Sequence, residues 1–265
     1  VRLSGTVAEC VKAHLDAGKA IISSGESGLD VNGEKFVFEP EWGVTFGGEN
    51  DFDPAYFAPG DNFKDDLPDM PLSLYSKGVE LAPLDGTRVE ATLIKPYYNR
   101  HWDGEHAFFY NPPDKPTDKP ALTVCGRVAH FSHRIFSGYN KQASIELRQW
   151  FANVLTEFLP RPVLKTKNLA SYCRAFVTEQ PGRRIVHILS CLPELRGDNT
   201  QMIEEPVPVF DAETALLVGK QAPRKVYLAL HPEDELDFEL ENGYAIVKLA
   251  PFRGYAMIVF ECKSV

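Results

Sequence analysis

The sequence of 265 residues predicts an α/β module followed by an all-β module, and three observations point to it. Leu147, Trp150, Phe151, Val154, Leu155 and Phe158 fall on one helical stripe, stopped by Pro160 and Pro162, and such a stripe faces a sheet. A helix pattern, a glycine and a short apolar strand open the chain. Past Pro162 the apolar period changes from helical to two. The expected division is therefore 1–161 and 162–265, each long enough to bury its own core.

Taken in order, Thr6-Val7-Ala8-Glu9 fits a capping box, with Thr6 accepting from a helix amide and Glu9 reaching back. Val7, Cys10, Val11 and Leu15 then share a helical face, and Gly18 suits the stop. Ala20 to Ser23 reads as a buried strand ended by the turn Gly25-Glu26-Ser27-Gly28. Helix, glycine and strand make half of a βαβ unit whose first strand is not in the chain. Residues 32–83 read as loop, with acidic residues, proline and glycine among Trp42, Phe46, Phe52, Tyr56, Phe57 and Phe63. Arg88 to Ile94 alternates like a strand, and Pro96 to Trp102 leads into a second loop. Ala121 to Cys125 pairs with Val128 to Ser132 around Gly126 as a hairpin, and the amphipathic helix follows. In the second module, strands are expected at 172–178, 184–190, 203–209, 214–218, 225–230, 237–241, 244–249 and 255–261. Pro181-Gly182 and Asn242-Gly243 mark turns, the latter of the type I′ hairpin kind. Short strands at this spacing make a β-sandwich.

Composition narrows the function classes. A net charge of -9 and a pI near 5.3 argue against nucleic acid, whose binding draws on basic patches. No apolar run approaches the roughly 18 residues of a membrane span, and no signal peptide pattern is present. Cys10, Cys125, Cys173, Cys191 and Cys262 are dispersed and odd in number, which reads as free thiols in a reducing, cytoplasmic compartment. The chain starts at Val1, almost directly on a helix, and reads as a piece of a longer polypeptide.

Several segments together resemble the tail of a bacterial glycoside hydrolase of the β-galactosidase family 42 type. They are Ala17 to Ser23 leading to Ser27-Gly28-Leu29-Asp30, Pro96 to Arg100, and Gly126 to Phe131 with Ile135, Phe136 and Tyr139. Arg183 to Leu189 and Ile203-Glu204-Glu205 extend the likeness through the second module. The resemblance implies a flavodoxin- or amidotransferase-like α/β trimerisation domain, short of its opening strands, followed by a small C-terminal β-domain. It implies a catalytic barrel upstream and self-association as a trimer or other homo-oligomer. Carbohydrate would be met through the parent enzyme, and no cofactor is implied.

Candidate chemistry within the chain is sparse. An amidotransferase-like fold raises the question of a nucleophile at a glycine-flanked elbow. The matching turn, Ser23 to Gly28, holds no cysteine, and neither Ser24 nor Ser27 sits in G-x-S-x-G. The enzyme alternative, a divergent amidotransferase-like hydrolase, would use Ser27 or Cys125 with His133. His130 and His133 form H-x-x-H, and with His101 and His106 they could hold zinc if the strand ended between them; otherwise they are structural. The six aspartates between Asp51 and Asp69 read as a solvated loop. Trp42, Tyr97, Tyr98 and Trp102 suit a protein interface or a sugar-stacking platform. A carbohydrate-binding module on these loops or on the sandwich face is a third possibility. The expectation is no catalytic, cofactor or metal residue here, with Glu26, Ser27, Tyr97, Trp102, His106, His130 and His133 as pocket or interface candidates.

Overall fold

The computed structural model describes residues 1–108 and 111–262. The chain divides into two compact units, Val1–Pro160 and Arg161–Val265.

The first unit runs α1 (Gly5–Asp16), β1 (Ile21–Ser24), α2 (Glu39–Trp42), β2 (Val44–Glu49) and β3 (Ala55–Pro59). It continues through β4 (Leu72–Leu74), β5 (Val79–Pro83), β6 (Arg88–Pro96), β7 (His101–Trp102) and β8 (Ala107–Phe108). A long β9 (Pro113–Cys125), β10 (Val128–Phe131), α3 (Ile135–Gln142) and α4 (Ile145–Phe158) complete it. Six strands form one mixed sheet in the order β1-β10-β9-β6-β3-β4. The β1–β10 pair is parallel, while β10–β9, β9–β6, β6–β3 and β3–β4 are antiparallel.

That arrangement corrects the expectation of a flavodoxin-like α/β layer. Parallel neighbours need crossover connections, usually helical, and here the central strands are joined by turns such as Gly126-Arg127. The α/β-then-β layout fits only loosely. The 32–83 segment is likewise not all loop, since β2 to β5 lie within it. At the start, α1 is capped from Ser4 with no side-chain hydrogen bond, so the capping box on Thr6 and Glu9 does not form. The helix begins one residue before Thr6, which puts Thr6 inside the first turn rather than at its cap.

Alternation across the sheet divides the core. Ala129 and Phe131 face α3 and α4, joining Phe57, Leu93, Leu122 and Trp150 in the larger apolar cluster. Val128 faces the other way, into a second cluster with Leu29, Phe36, Trp42, Val44 and Val79, against which α1 lays Val11 and Leu15. Residue period two sends neighbours to opposite faces, so the four residues of β10 are buried on both sides.

The second unit is β throughout. Its strands are β11 (Leu164–Lys167), β12 (Arg174–Gln180), β13 (Arg183–Ser190), β14 (Glu194–Arg196), β15 (Thr200–Met202) and β16 (Pro208–Val209). Then come β17 (Glu213–Leu217), β18 (Lys225–Leu228), β19 (His231–Glu235), β20 (Glu239–Glu241), β21 (Tyr244–Lys248) and β22 (Phe252–Glu261). One antiparallel sheet has the order β11-β17-β21-β20; the other runs β12-β13-β22-β18-β19 with β16 also on β22. Leu216, Ala245 and Val247 of the first share one apolar cluster with Val186, Ile188, Ile258 and Phe260 of the second. The strand expected over 203–209 shrinks to Pro208–Val209, because Pro206 and Pro208 remove two ladder donors.

Candidate functional site

Two places gather the sequence candidates. The first is the end of the parallel pair. Ser23 and His130 are register partners, and Ser23 Oγ lies 2.7 Å from His130 Nδ1. The imidazole is fully buried with its edge toward the Phe36 ring, 5.1 Å between centroids. Burial pushes its pKa down from 6.5 to about 3. His133 is also buried, bonded through Nδ1 to Ser132 Oγ at 2.9 Å, and burial lowers it to about 4. Both rings are neutral near pH 7 and are weak bases, far from the operating pH that general-base chemistry favours. Among the described residues, Nε2 of neither ring has a hydrogen-bond partner.

The turn after β1 is filled rather than open. Gly25 N donates to Phe131 O at 2.8 Å, and a Cβ on Gly25 would lie 2.7 Å from Arg134 Cγ. Glu26 pairs with Arg134 at 2.7 Å, and Ser27 Oγ accepts from the Val1 nitrogen at 3.0 Å. Among the described residues no imidazole hydrogen-bonds Ser27 or Cys125. Cys125 lies opposite Val128 in the hairpin register, and Val128 precedes His133 by five residues, roughly 16 Å of extended chain. A Cys125–His133 couple is not assembled.

The second place is the β7–β8 hairpin and its approach. Tyr97 and Trp102 are 71% and 63% exposed, and Tyr75 is 40% exposed. Asn99 and Arg100 tie this segment to a distant loop. Asn99 Oδ1 accepts from Asp53 N at 3.0 Å, and its Nδ2 donates to Asp51 O at 2.8 Å. Arg100 Nε donates to Asp53 Oδ1 at 2.9 Å, and its guanidinium lies 5.3 Å from the Tyr75 ring centroid. Asp103 accepts from the amides of His106 and Glu105, which holds its carboxyl below the usual range. His106 is exposed beside Asp103, at 3.5 Å. The result is an exposed aromatic surface on anchored supports.

The structure does not bring His101 and His106 together with His130 and His133: the first pair is exposed and the second buried. Trp42, an expected platform residue, is 3% exposed and belongs to the core with Phe36. Sequence reasoning missed Tyr75, and it missed the exposed trio His231, Glu233 and Asp234, the group of metal-capable side chains found close together among the described residues. The acidic run after His231 was visible, but its closeness depends on strand geometry.

With this geometry in hand, comparison with known proteins is informative at the level of fold. No protein family matches the sequence, and no curated protein aligns with it. Solved structures do match. The whole chain superposes on α-L-fucosidase isoenzyme 2 from Paenibacillus thiaminolyticus with a TM-score of 0.88 and 23% identity. It has the fold of part of a glycoside hydrolase. The match covers 100% of this chain and 40% of the fucosidase. A cold-adapted β-galactosidase from Rahnella sp. R3 matches 98% of the chain over 31% of its own length, with a TM-score of 0.50 and 13% identity. Of the two, the fucosidase match is the stronger, so the expected β-galactosidase likeness holds in the broader form of a glycoside hydrolase portion.

Proposed function

We propose that the chain is an oligomerisation and accessory module of a carbohydrate-active glycoside hydrolase whose catalytic barrel lies upstream. The observation that carries this reading is the superposition of the entire chain on 40% of a fucosidase. Two features of the chain support it. The hydroxyl–imidazole pairs at the end of β1 and β10, Ser23–His130 and Ser132–His133, are buried with rings that burial keeps neutral, and among the described residues neither Ser27 nor Cys125 hydrogen-bonds an imidazole. Large exposed aromatic rings on an anchored hairpin have the composition of a protein interface, where tyrosine and tryptophan are enriched.

In this reading Tyr97 and Trp102 meet a second copy of the chain. Light scattering on the parent protein then yields a trimer or other closed oligomer. Replacing both residues, Tyr97→Ala with Trp102→Ala, lowers the mass toward the monomer and leaves the circular dichroism spectrum unchanged. A monomeric parent would sink the proposal.

A further inference from the structure

Charge in the second unit is sorted to opposite edges of one sheet. Residues 161–174 carry Arg161, Lys165, Lys167 and Arg174 and no acidic residue, whereas residues 231–241 carry six carboxylates and no lysine or arginine. Strand order makes this an edge property, because β11 with Lys165 and Lys167, and β20 with Glu239 and Glu241, are the two ends of the four-stranded sheet. Like charges along one edge keep that edge from pairing with itself, a common guard against sheet extension. Opposite charges on the two edges of the same sheet leave one pairing open, that of β11 with the β20 of another copy.

Face, direction and charge all match between these edges. Leu164 lies opposite the core residue Leu216 and Leu240 opposite the core residue Ala245, so period two turns Lys165, Lys167, Glu239 and Glu241 together to the outer face. The pairs β11–β17, β17–β21 and β21–β20 are antiparallel. β20 therefore runs opposite to β11, and a copy added in the same orientation continues the antiparallel ladder. Lys165 lies 4.6 Å from the Tyr244 ring centroid, and Glu241 accepts from Asn242 Nδ2 at 3.3 Å. Lys167 shares Glu213 with Lys248 across their row, and among the described residues neither Lys167 nor Glu239 forms an ion pair. The companion sheet offers no such match. Its end strands β12 and β19 run in the same direction, and Pro232 and a register shift blunt β19.

We infer that the β20 edge of one copy docks on the β11 edge of the next, head to tail, so that the four-stranded sheet continues across the contact. Glu239 then stands beside Lys167 and Glu241 beside Lys165, while Leu240, 56% exposed at its edge, turns inward beside Thr166. The row Glu239, Lys167, Glu213, Lys248 alternates in sign across the junction. A slip of one residue would turn the carboxylates to the wrong face. An acidic or a basic peptide would satisfy one edge only, whereas a second copy satisfies both. The contact is heterologous, so it builds a ring or a filament according to the rotation at each step. It is separate from the Tyr97 and Trp102 contact proposed above, which belongs to the first unit.

Analytical ultracentrifugation of the intact chain tests it. At low salt the average mass climbs as the protein is raised to about 1 mM, as befits a small contact, and about 500 mM salt suppresses the climb. Lys167→Glu and Glu239→Lys each set like charges side by side and raise the dissociation constant about fivefold. Both substitutions lie on exposed strands, and the circular dichroism spectrum stays that of the wild type. An equimolar mixture of the two variants associates more tightly than either alone, because each supplies the edge that the other has lost. The double variant Lys167→Glu/Glu239→Lys recovers most of the wild-type affinity. The same series with Tyr97→Ala and Trp102→Ala added shows the same charge effects, which keeps this contact readable whatever the aromatic one does. No rise in mass up to about 1 mM, single variants that match the wild type, or a mixture no tighter than its components would overturn the proposal.

Discussion

At the bridge between Gly78 and His133, a Cβ on residue 78 would lie 2.4 Å from the imidazole. The ring cannot retreat easily: it is buried, and Ser132 Oγ holds its Nδ1. Gly78→Ala therefore forces a shift in a packed region, an overpacking that costs about 2 kcal/mol and lowers the melting temperature by roughly 4–8 °C. Shortening the ring in the same chain should release the clash. The double variant Gly78→Ala/His133→Ala is expected to lose less stability than the two single variants summed, measured by denaturant titration of all four proteins. Equal costs would mean that residue 78 is crowded by something other than the imidazole. At the Asn242-Gly243 turn the constraint is backbone conformation instead: φ is 51° and 83°, the pair of positive values a type I′ turn requires.

Among the elements, α4 shows how far local pattern reaches. Its stripe buries Leu147, Trp150, Val154 and Phe158, and Ser144 Oγ caps it by accepting from Leu147 N. Trp150 is stacked 3.9 Å from Phe57 and meets Phe131 edge-on at 4.6 Å, yet among the described residues its Nε1 has no acceptor. Trp150→Ala should cost about 3–5 kcal/mol. Trp150→Phe keeps an aromatic ring against Phe57 and removes the unbonded N–H, whose desolvation costs about 1–3 kcal/mol, so its loss should be less than half as large. Chemical denaturation of the two variants decides this, and equal losses would mean that ring size alone matters. This helix and the 121–131 hairpin were legible because apolar spacing and a turn glycine state them locally. β2 to β5 were not, since Gly47, Gly48, Pro54 and Pro59 interrupt the segment, and β3 buries consecutive residues instead of alternating. The aromatic loop was legible from composition, but its supports were not: Asn99 and Arg100 bond partners 46 to 48 residues away. The burial of His130 was hidden for a related reason, because only the finished packing covers both faces of β10.

For the whole molecule, the placement of histidines makes acid sensitivity unequal between its halves. His130 and His133 both belong to the unit Val1–Pro160, and burial depresses them to about 3 and about 4. An unfolded histidine takes its proton near pH 6.5. As pH falls below 6.5 the unfolded state therefore binds protons that the folded unit refuses, and stability drops until the folded values near 4 and 3 are reached. At pH 5 the loss is about 2 kcal/mol for each ring, on the order of 4 kcal/mol for the pair. The second unit holds its own apolar cluster, and its histidines, His187 and His231, are not buried. Calorimetry at pH 7 and pH 5 should then show the transition of the first unit moving down while that of the second moves much less. His133→Asn, which removes one titrating ring, should reduce the pH 7 to pH 5 shift of the first transition by about half, even if it lowers stability at both pH values. An undiminished shift in that variant would place the acid-sensitive groups elsewhere, and a parallel shift of both transitions would mean that surface charge governs the response.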